Sequence, residues 1–301
     1  MSRTVALTFL ALISFALNSL LCRAALGSDR IDAANFTLIR LASGAVVLLL
    51  IARTSSRLAP GPRRGSTWNV ALSAVALFFY ALPFSLAYQR ISAGTGAFVV
   101  FCCVQATMIG ADLVSGGRLR LREGVGLCLA LLGLVYLTRP GFESPDPRSV
   151  LLMAGAGFFW GLYSLRGRNS GPALQATARN FAASVPLALV VSASGMVSPQ
   201  VTVSGLILAA VSGGITSGLG YVAWYAALPS LSPTRAAIVQ LSVPPLASFL
   251  GVLFLQEQLT TRLLVAAPLI LGGIAIAVVK PRVSAGPTVR SAAVVRDPES
   301  G

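Results

Sequence analysis

Apolar residues run in long unbroken stretches along this chain, and short polar segments punctuate them. Ten stretches stand out, at roughly 4–22, 34–52, 68–88, 94–114, 123–138, 149–165, 176–195, 203–228, 234–255 and 263–280. A bilayer core of about 30 Å needs about 20 apolar residues in a helix. A barrel strand would instead alternate over about ten residues. In lipid, backbone N–H and C=O groups find no water, so a helix that satisfies its own groups is the spanning element expected. The pattern therefore predicts an all-α integral membrane protein with ten transmembrane helices. The stretch 4–22 reads as the first span and not as a signal peptide, because it exceeds a usual signal core and similar segments follow.

Composition supports the same class. The 301 residues are 55% hydrophobic and 11% charged, whereas soluble chains run near about 25% charged. Mean hydropathy is +0.80. The formal charge of +14 does not point to nucleic acid, because the basic residues lie in short segments between apolar runs and form no patch with interleaved aromatics. With ten spans, 15 of the Arg and Lys residues fall on the face that carries both termini and 6 on the opposite face; Arg40 and Arg179 fall inside spans. Positive-inside bias then puts both termini in the cytoplasm of a multi-pass protein in the cell (inner) membrane.

Histidine is absent, which removes Ser-His and Cys-His catalysis and His-ligated metal sites. Cys22, Cys102, Cys103 and Cys128 each lie in an apolar run without metal-ligand spacing, and read as small buried hydrophobes. No phosphate-binding G-x-x-x-x-G-K-[ST] loop is present. No cofactor or metal is expected.

The chain also repeats itself. A shift of 140 residues aligns 85–140 with 225–280 without a gap, with 11 identities in 56 positions, among them Ala87/Ala227, Ser92/Ser232, Arg122/Arg262 and Gly133/Gly273. A shift of 143 pairs Ala11/Ala154, Phe15/Phe158 and Arg23/Arg166. The segment 139–148, RPGFESPDPR, lies between the halves. Residues 1–140 form a first five-helix repeat, 141–280 a second, and 281–301 a polar cytoplasmic tail expected to be disordered. Five spans per half is odd, so the second half enters the membrane in the opposite sense: two inverted five-helix repeats.

Asn35–Arg40 with Leu41, SLAYQRISAGTGAFVV at 85–100 and YAALPSLSPTRAAIVQLSVPPLASFLGVLFLQEQLT at 225–260 resemble the drug/metabolite transporter superfamily, in its EamA branch, over residues 4–280. The last segment is the most specific, an Ala-rich turn followed by Pro244, Gly251 and Glu257. The first half departs from the pattern, with Gly117 where a Glu is expected and Val104 at the place of Pro244. The resemblance implies a central cavity between the halves. It also implies transport of amino acids, nucleotide-like metabolites or drugs, often outward.

A transporter needs polar groups near the midplane. A central charge costs about 2.5–3.5 kcal/mol on insertion scales, so such groups mark protein-, water- or substrate-facing positions. Arg40 and Arg179 lie one to two turns into spans 2 and 7, from opposite faces; either could hold a carboxylate or phosphate, or bond loop carbonyls. Asp112, the only acid well within a span, could couple transport to protons if buried, although Arg118 and Arg120 stand near for a salt bridge. Phe101, Gln105, Met108 and Asp112 share one face of span 4, as do Ser217, Tyr221, Trp224 and Tyr225 of span 8. With Asn18, Tyr80, Trp160, Tyr163 and Gln240 they are the candidate lining of a pocket for an amphipathic small-molecule substrate. The competing readings are interhelical hydrogen bonding for Asn18, Gln105 and Gln240, and an interfacial belt for Tyr88, Trp224 and Tyr225. Glu257 is expected to stabilise a helix junction.

The leading function is therefore secondary transport of a small metabolite, by alternating access and in the export direction. A channel or an intramembrane lipid-modifying enzyme is the alternative. The partners expected are the solute and the lipid bilayer; a homodimer stays open.

Overall fold

The computed structural model describes residues 3–55, 67–116, 121–138, 144–168, 170–194, 200–231, 236, 239–240 and 242–278. Gly117, Arg118, Arg120 and the tail 281–301 lie outside the described residues, and with them the expected pairing of Asp112 and the expected disorder of the tail.

The helices are α1 (Arg3–Leu26), α2 (Ala33–Ser55), α3 (Thr67–Tyr88), α4 (Ala93–Val114), α5 (Leu121–Thr138), α6 (Pro147–Gly167), α7 (Ala173–Ala193), α8 (Val203–Ser230), α9 (Val243–Leu255) and α10 (Thr261–Val278). Each falls on one of the ten predicted stretches. Helices α1, α3, α4, α7 and α8, with Ala33–Thr54 of α2, are long and apolar enough to cross a bilayer by length and composition; α9 and parts of α5 and α10 are apolar but shorter. Large apolar side chains stand on the outside, among them Phe9, Leu50, Leu132, Leu151, Val190, Ile207, Phe249 and Leu264. Water would penalise such a surface, and lipid does not.

Consecutive helices run in opposite senses, so the bundle has a near end, which carries Arg3, and a far end. The even-numbered helices start at the far end, and side chains cap them there. Asp32 Oδ1 accepts from the N–H groups of Ala34 and Asn35 at 3.1 and 2.9 Å. Ser92, Asp146, Thr202 and Thr260 accept from Thr95, Ser149, Gly205 and Leu263. Each cap satisfies an N–H that the helix leaves open. The hydroxyl and backbone N–H of Ser149 hold the Asp146 carboxyl below its usual range.

Packing follows a paired scheme. α2 packs on α7, α4 on α9 and α5 on α10; α1 packs on α8 and α9, as α6 packs on α3 and α4. Small residues set the closest approaches, as the Gly157-x-x-x-Gly161 and Gly214-x-x-x-Gly218 spacings suggest. A Cβ on Gly157 would meet the Val100 carbonyl of α4, and one on Gly213 the Arg40 carbonyl of α2. Gly213 belongs to a π-helical stretch of α8, Ser212–Leu219, flanked by α-helix at Val203–Val211 and Gly220–Ala227.

Gly213→Val is expected to cost about 1–3 kcal/mol, the usual range for overpacking. A Cβ on Gly110 meets nothing within 4 Å, so Gly110→Ala should be neutral or slightly stabilising. Thermal unfolding of the two variants in detergent checks the contrast.

Candidate functional site

Where α1, α2, α3, α6 and α8 meet, the interior turns polar. Arg40, 1% exposed, extends from α2 into this centre. Its Nε donates to Ser217 Oγ at 2.8 Å, and its Nη2 to the hydroxyls of Tyr221 at 2.7 Å and Tyr80 at 3.2 Å. Nη1 lies 3.9 Å from Cys22 Sγ. The guanidinium carbon sits 5.3 Å from the Tyr80 ring centroid and 5.4 Å from that of Phe84. No carboxylate pairs with Arg40 among the described residues. Hydroxyls and ring faces hold the cation without neutralising it.

The π-helical stretch explains how one helix serves this centre so densely. Its wider turn sets bonds five residues apart, and brings Ser212, Thr216, Ser217 and Tyr221 to one side. The first three hydroxyls donate to a single acceptor, Asn18 Oδ1 of α1, at 2.7, 3.3 and 3.2 Å. Ser217 and Tyr221 also reach Arg40, so Asn18, Ser217, Arg40, Tyr221 and Tyr80 form one continuous network. It closes through the Tyr221 hydroxyl, which donates to that of Tyr80 at 3.1 Å.

Aromatic rings wall this network. Trp160 lies 4.6 Å from Tyr221 and 4.9 Å from Tyr80 between ring centroids. Phe15 meets Trp160, Tyr221 and Trp224 edge-on. Trp160 Nε1 donates to Gln240 Oε1 at 3.1 Å, joining α6 to the segment before α9. Phe15, Ser19, Tyr80, Phe84, Val100, Phe101 and Trp160 enclose a gap of about 10 Å³, enough for one water. A solute would have to part these rings.

Of the candidate residues, Asn18, Arg40, Tyr80, Ser217 and Tyr221 are bonded together, with Trp160 packed on them and Gln240 behind Trp160. Tyr163 lies one ring further, 6.3 Å from Tyr221. Trp224, fully buried, donates instead to Ser164 at 3.3 Å, and Tyr225 to the Tyr163 carbonyl at 3.0 Å. The belt reading fails for Tyr88, Trp224 and Tyr225, which are 0–2% exposed. Gln105 is buried on α4 with Phe101 and Met108, but Asp112 on the same face is exposed at the near end. The burial on which proton coupling at Asp112 would rest is absent. Cys22 and Cys102 are buried as expected, while Cys103 is half-buried and Cys128 exposed.

The far end is tied shut across distant parts of the chain. Arg23 of α1 donates through Nε to Glu257 Oε1 at 3.0 Å, and through Nη1 to the carbonyls of Tyr88 and Gln89 at 3.0 and 3.1 Å. Glu257 also accepts from the Ala93 N–H at 2.9 Å. It thus joins the α9–α10 turn to α1 and to the start of α4, the junction role expected of it. At the same end, Ile31 and Val201 form a β-bridge, and Asp32 bonds Gln200 through main chain and side chain.

Sequence reading passed over Ser212, Thr216 and Cys22 at the centre, and Asn180, which reaches toward the Tyr163 hydroxyl at 3.5 Å. The internal repeat was the available signal for Asn180, which stands 140 positions after Arg40.

A multi-pass helical bundle with a sealed polar centre is the class of protein these features define. The chain belongs to the EamA-like transporter family, whose model matches residues 2–139 and again 147–279. It is 45% identical over 280 residues to an uncharacterized protein of Pseudomonas aeruginosa, covering 93% of this chain and 96% of that one. A solved crystal structure of another protein shares the fold, with a TM-score of 0.67 at 20% identity, covering 92% of this chain and 99% of that one. Membership makes this a membrane protein of a small-solute transporter family.

Tyr221→Phe removes a charge-assisted bond to Arg40 and is expected to cost about 1.5–3 kcal/mol. The loss is read from thermal unfolding in detergent against a Phe15→Leu control, which leaves the hydrogen bonds intact.

Proposed function

We propose that this protein is a secondary transporter that carries a small metabolite bearing an anionic group, by alternating access and in the export direction. The observation that carries this reading is the Arg40 guanidinium, held at the centre of the bundle by hydroxyls and ring faces with no carboxylate against it among the described residues. A solute carboxylate or phosphate fits its planar fork. The Tyr80 and Tyr221 hydroxyls would yield those positions, and the aromatic walls would cover the rest of the solute.

Alternating access needs two arrangements of the helices around one site. The paired packing scheme, the two family matches and the 140-residue offset all support two inverted five-helix repeats. Exchanging the arrangements of the halves would open the far end and close the near one. The Arg23–Glu257 bond would have to break for this. The Arg and Lys bias puts the near end and both termini in the cytoplasm of the inner membrane.

The test is uptake and counterflow in proteoliposomes, screened with labelled amino acids, organic acids and nucleotides, with and without a proton gradient. Saturable counterflow is expected for a carrier and not for a pore. Arg40→Ala and Gln105→Ala should each lower the rate by roughly tenfold, the equivalent of one lost polar contact, with membrane insertion unchanged. Wild-type rates in both variants would remove the case for this site. Glu257→Gln should raise labelling of a cysteine placed at Ser19, in a background free of native cysteines, by an impermeant thiol reagent from the far side. Unchanged labelling would mean that this bond does not gate the far end.

A further inference from the structure

We infer that the near end of the bundle carries a second anion site, a pocket between α3, α6 and α7 that takes a small oxyanion, carboxylate or phosphate, on Arg166 and Arg179. The pocket has a volume of about 260 Å³, against about 10 Å³ for the central gap, and its lining includes Asn69, Ser73, Arg166, Arg179 and Asn180. Two guanidiniums face it, and no acidic residue lines it among the described residues.

The two arginines differ in how they are held. Arg166 is positioned, with Nε donating to Ser73 Oγ at 3.1 Å and Nη2 to the side-chain and main-chain oxygens of Asn69 at 3.1 and 3.2 Å. Arg179 Nε is buried and has no hydrogen-bond partner among the described residues. A buried donor of a charged group without a partner is costly, and an oxyanion in the pocket would supply the acceptor. The same pocket lies over the first turns of α7, where Pro172 offers no side-chain cap. The positive end of the helix dipole there adds to the attraction for an anion. Asn180, also on this wall, donates toward the Tyr163 hydroxyl, whose ring leads to Tyr221 and so to Arg40.

The repeat gives a reason for the imbalance; this point alone rests on the inverted-repeat reading. Arg166 is the counterpart of Arg23, while the counterpart of Glu257 is Gly117. At the far end a carboxylate from the chain neutralises the arginine. At the near end the equivalent position supplies none, and an oxyanion from outside the chain takes its role.

A solute's own group and an anionic lipid headgroup present the same chemistry, so the experiment has two arms. The full chain is placed in phosphatidylcholine nanodiscs, and its unfolding temperature is followed as inorganic phosphate replaces chloride at constant ionic strength. A ligand that binds only the folded protein raises this temperature in a saturable way. Wild type is expected to show the rise, R179Q to need roughly tenfold more phosphate, and R179K to fall between them. In discs containing phosphatidylglycerol, a headgroup in the site would raise the wild-type starting value and abolish the phosphate response, while R179Q gained nothing. An Arg179-dependent response in either arm supports the site and names its source. Equal responses in wild type and R179Q, or no response of wild type to either anion, would overturn it. If R179Q does not fold, R179K and R166Q carry the same comparison. The readout is equilibrium binding, so a failure of transport would leave it unaffected.

Discussion

A guanidinium buried in a lipid-embedded bundle loses its hydration and must find other partners. For Arg40 those partners come from the neighbouring α1 and α3 and from α8, 177 to 181 positions away, and each must be in place before the charge can be buried. Ser217, Tyr221, Tyr80 and Cys22 meet the donors, and Asn18 holds Ser217 in turn. The π-helical stretch of α8 and the close approach of Gly213 to α2 serve the same end. They let α8 come near enough for short hydroxyl side chains to reach. The arrangement is costly as packing, and a cation held by weakly basic hydroxyls keeps its attraction for an anion, the property on which the proposed function rests.

The two ends of the bundle handle charge in opposite ways. At the far end Arg23 pairs with Glu257, and Asp32 ties the start of α2 to Gln200 before α8, so several elements are locked together by groups of the chain itself. At the near end Arg166 leans on Ser73 and Asn69, and Arg179 leaves its Nε with no partner among the described residues. In the proposed alternating-access cycle, Glu257 in the second half with Gly117 140 positions before it would favour closure at the far end.

How much of this was legible in the chain varies by residue. The helices were, because an apolar run of this length has few other options in a bilayer, and predicted and observed limits differ by only a few residues for most of them. Arg40, Asn18, Tyr80, Ser217 and Tyr221 were also legible as polar positions in oily helices, where chance placement is penalised. Asp112 misled, because its place on the Gln105 face of α4 did not reveal that it emerges from the bundle. Trp224, Tyr225 and Tyr88 looked like boundary residues from their positions near span ends, yet neighbouring helices cover them. Ser212 and Thr216 were missed because a π-helical turn shifts the helical face, and an assumed period of 3.6 residues assigns them to the wrong side.

Sequence alone determined that the chain is a helical membrane protein and that a few polar side chains sit where lipid would reject them; hydropathy and length decide these locally. Only the tertiary structure decided which of those side chains meet. That Tyr221 and Tyr80 share one guanidinium, that Arg23 reaches Glu257 across 234 positions, and that Arg179 faces a pocket with Arg166 all depend on helix rotation and approach. Those are set by small-residue contacts and a local change of helical pitch, which no residue encodes by itself.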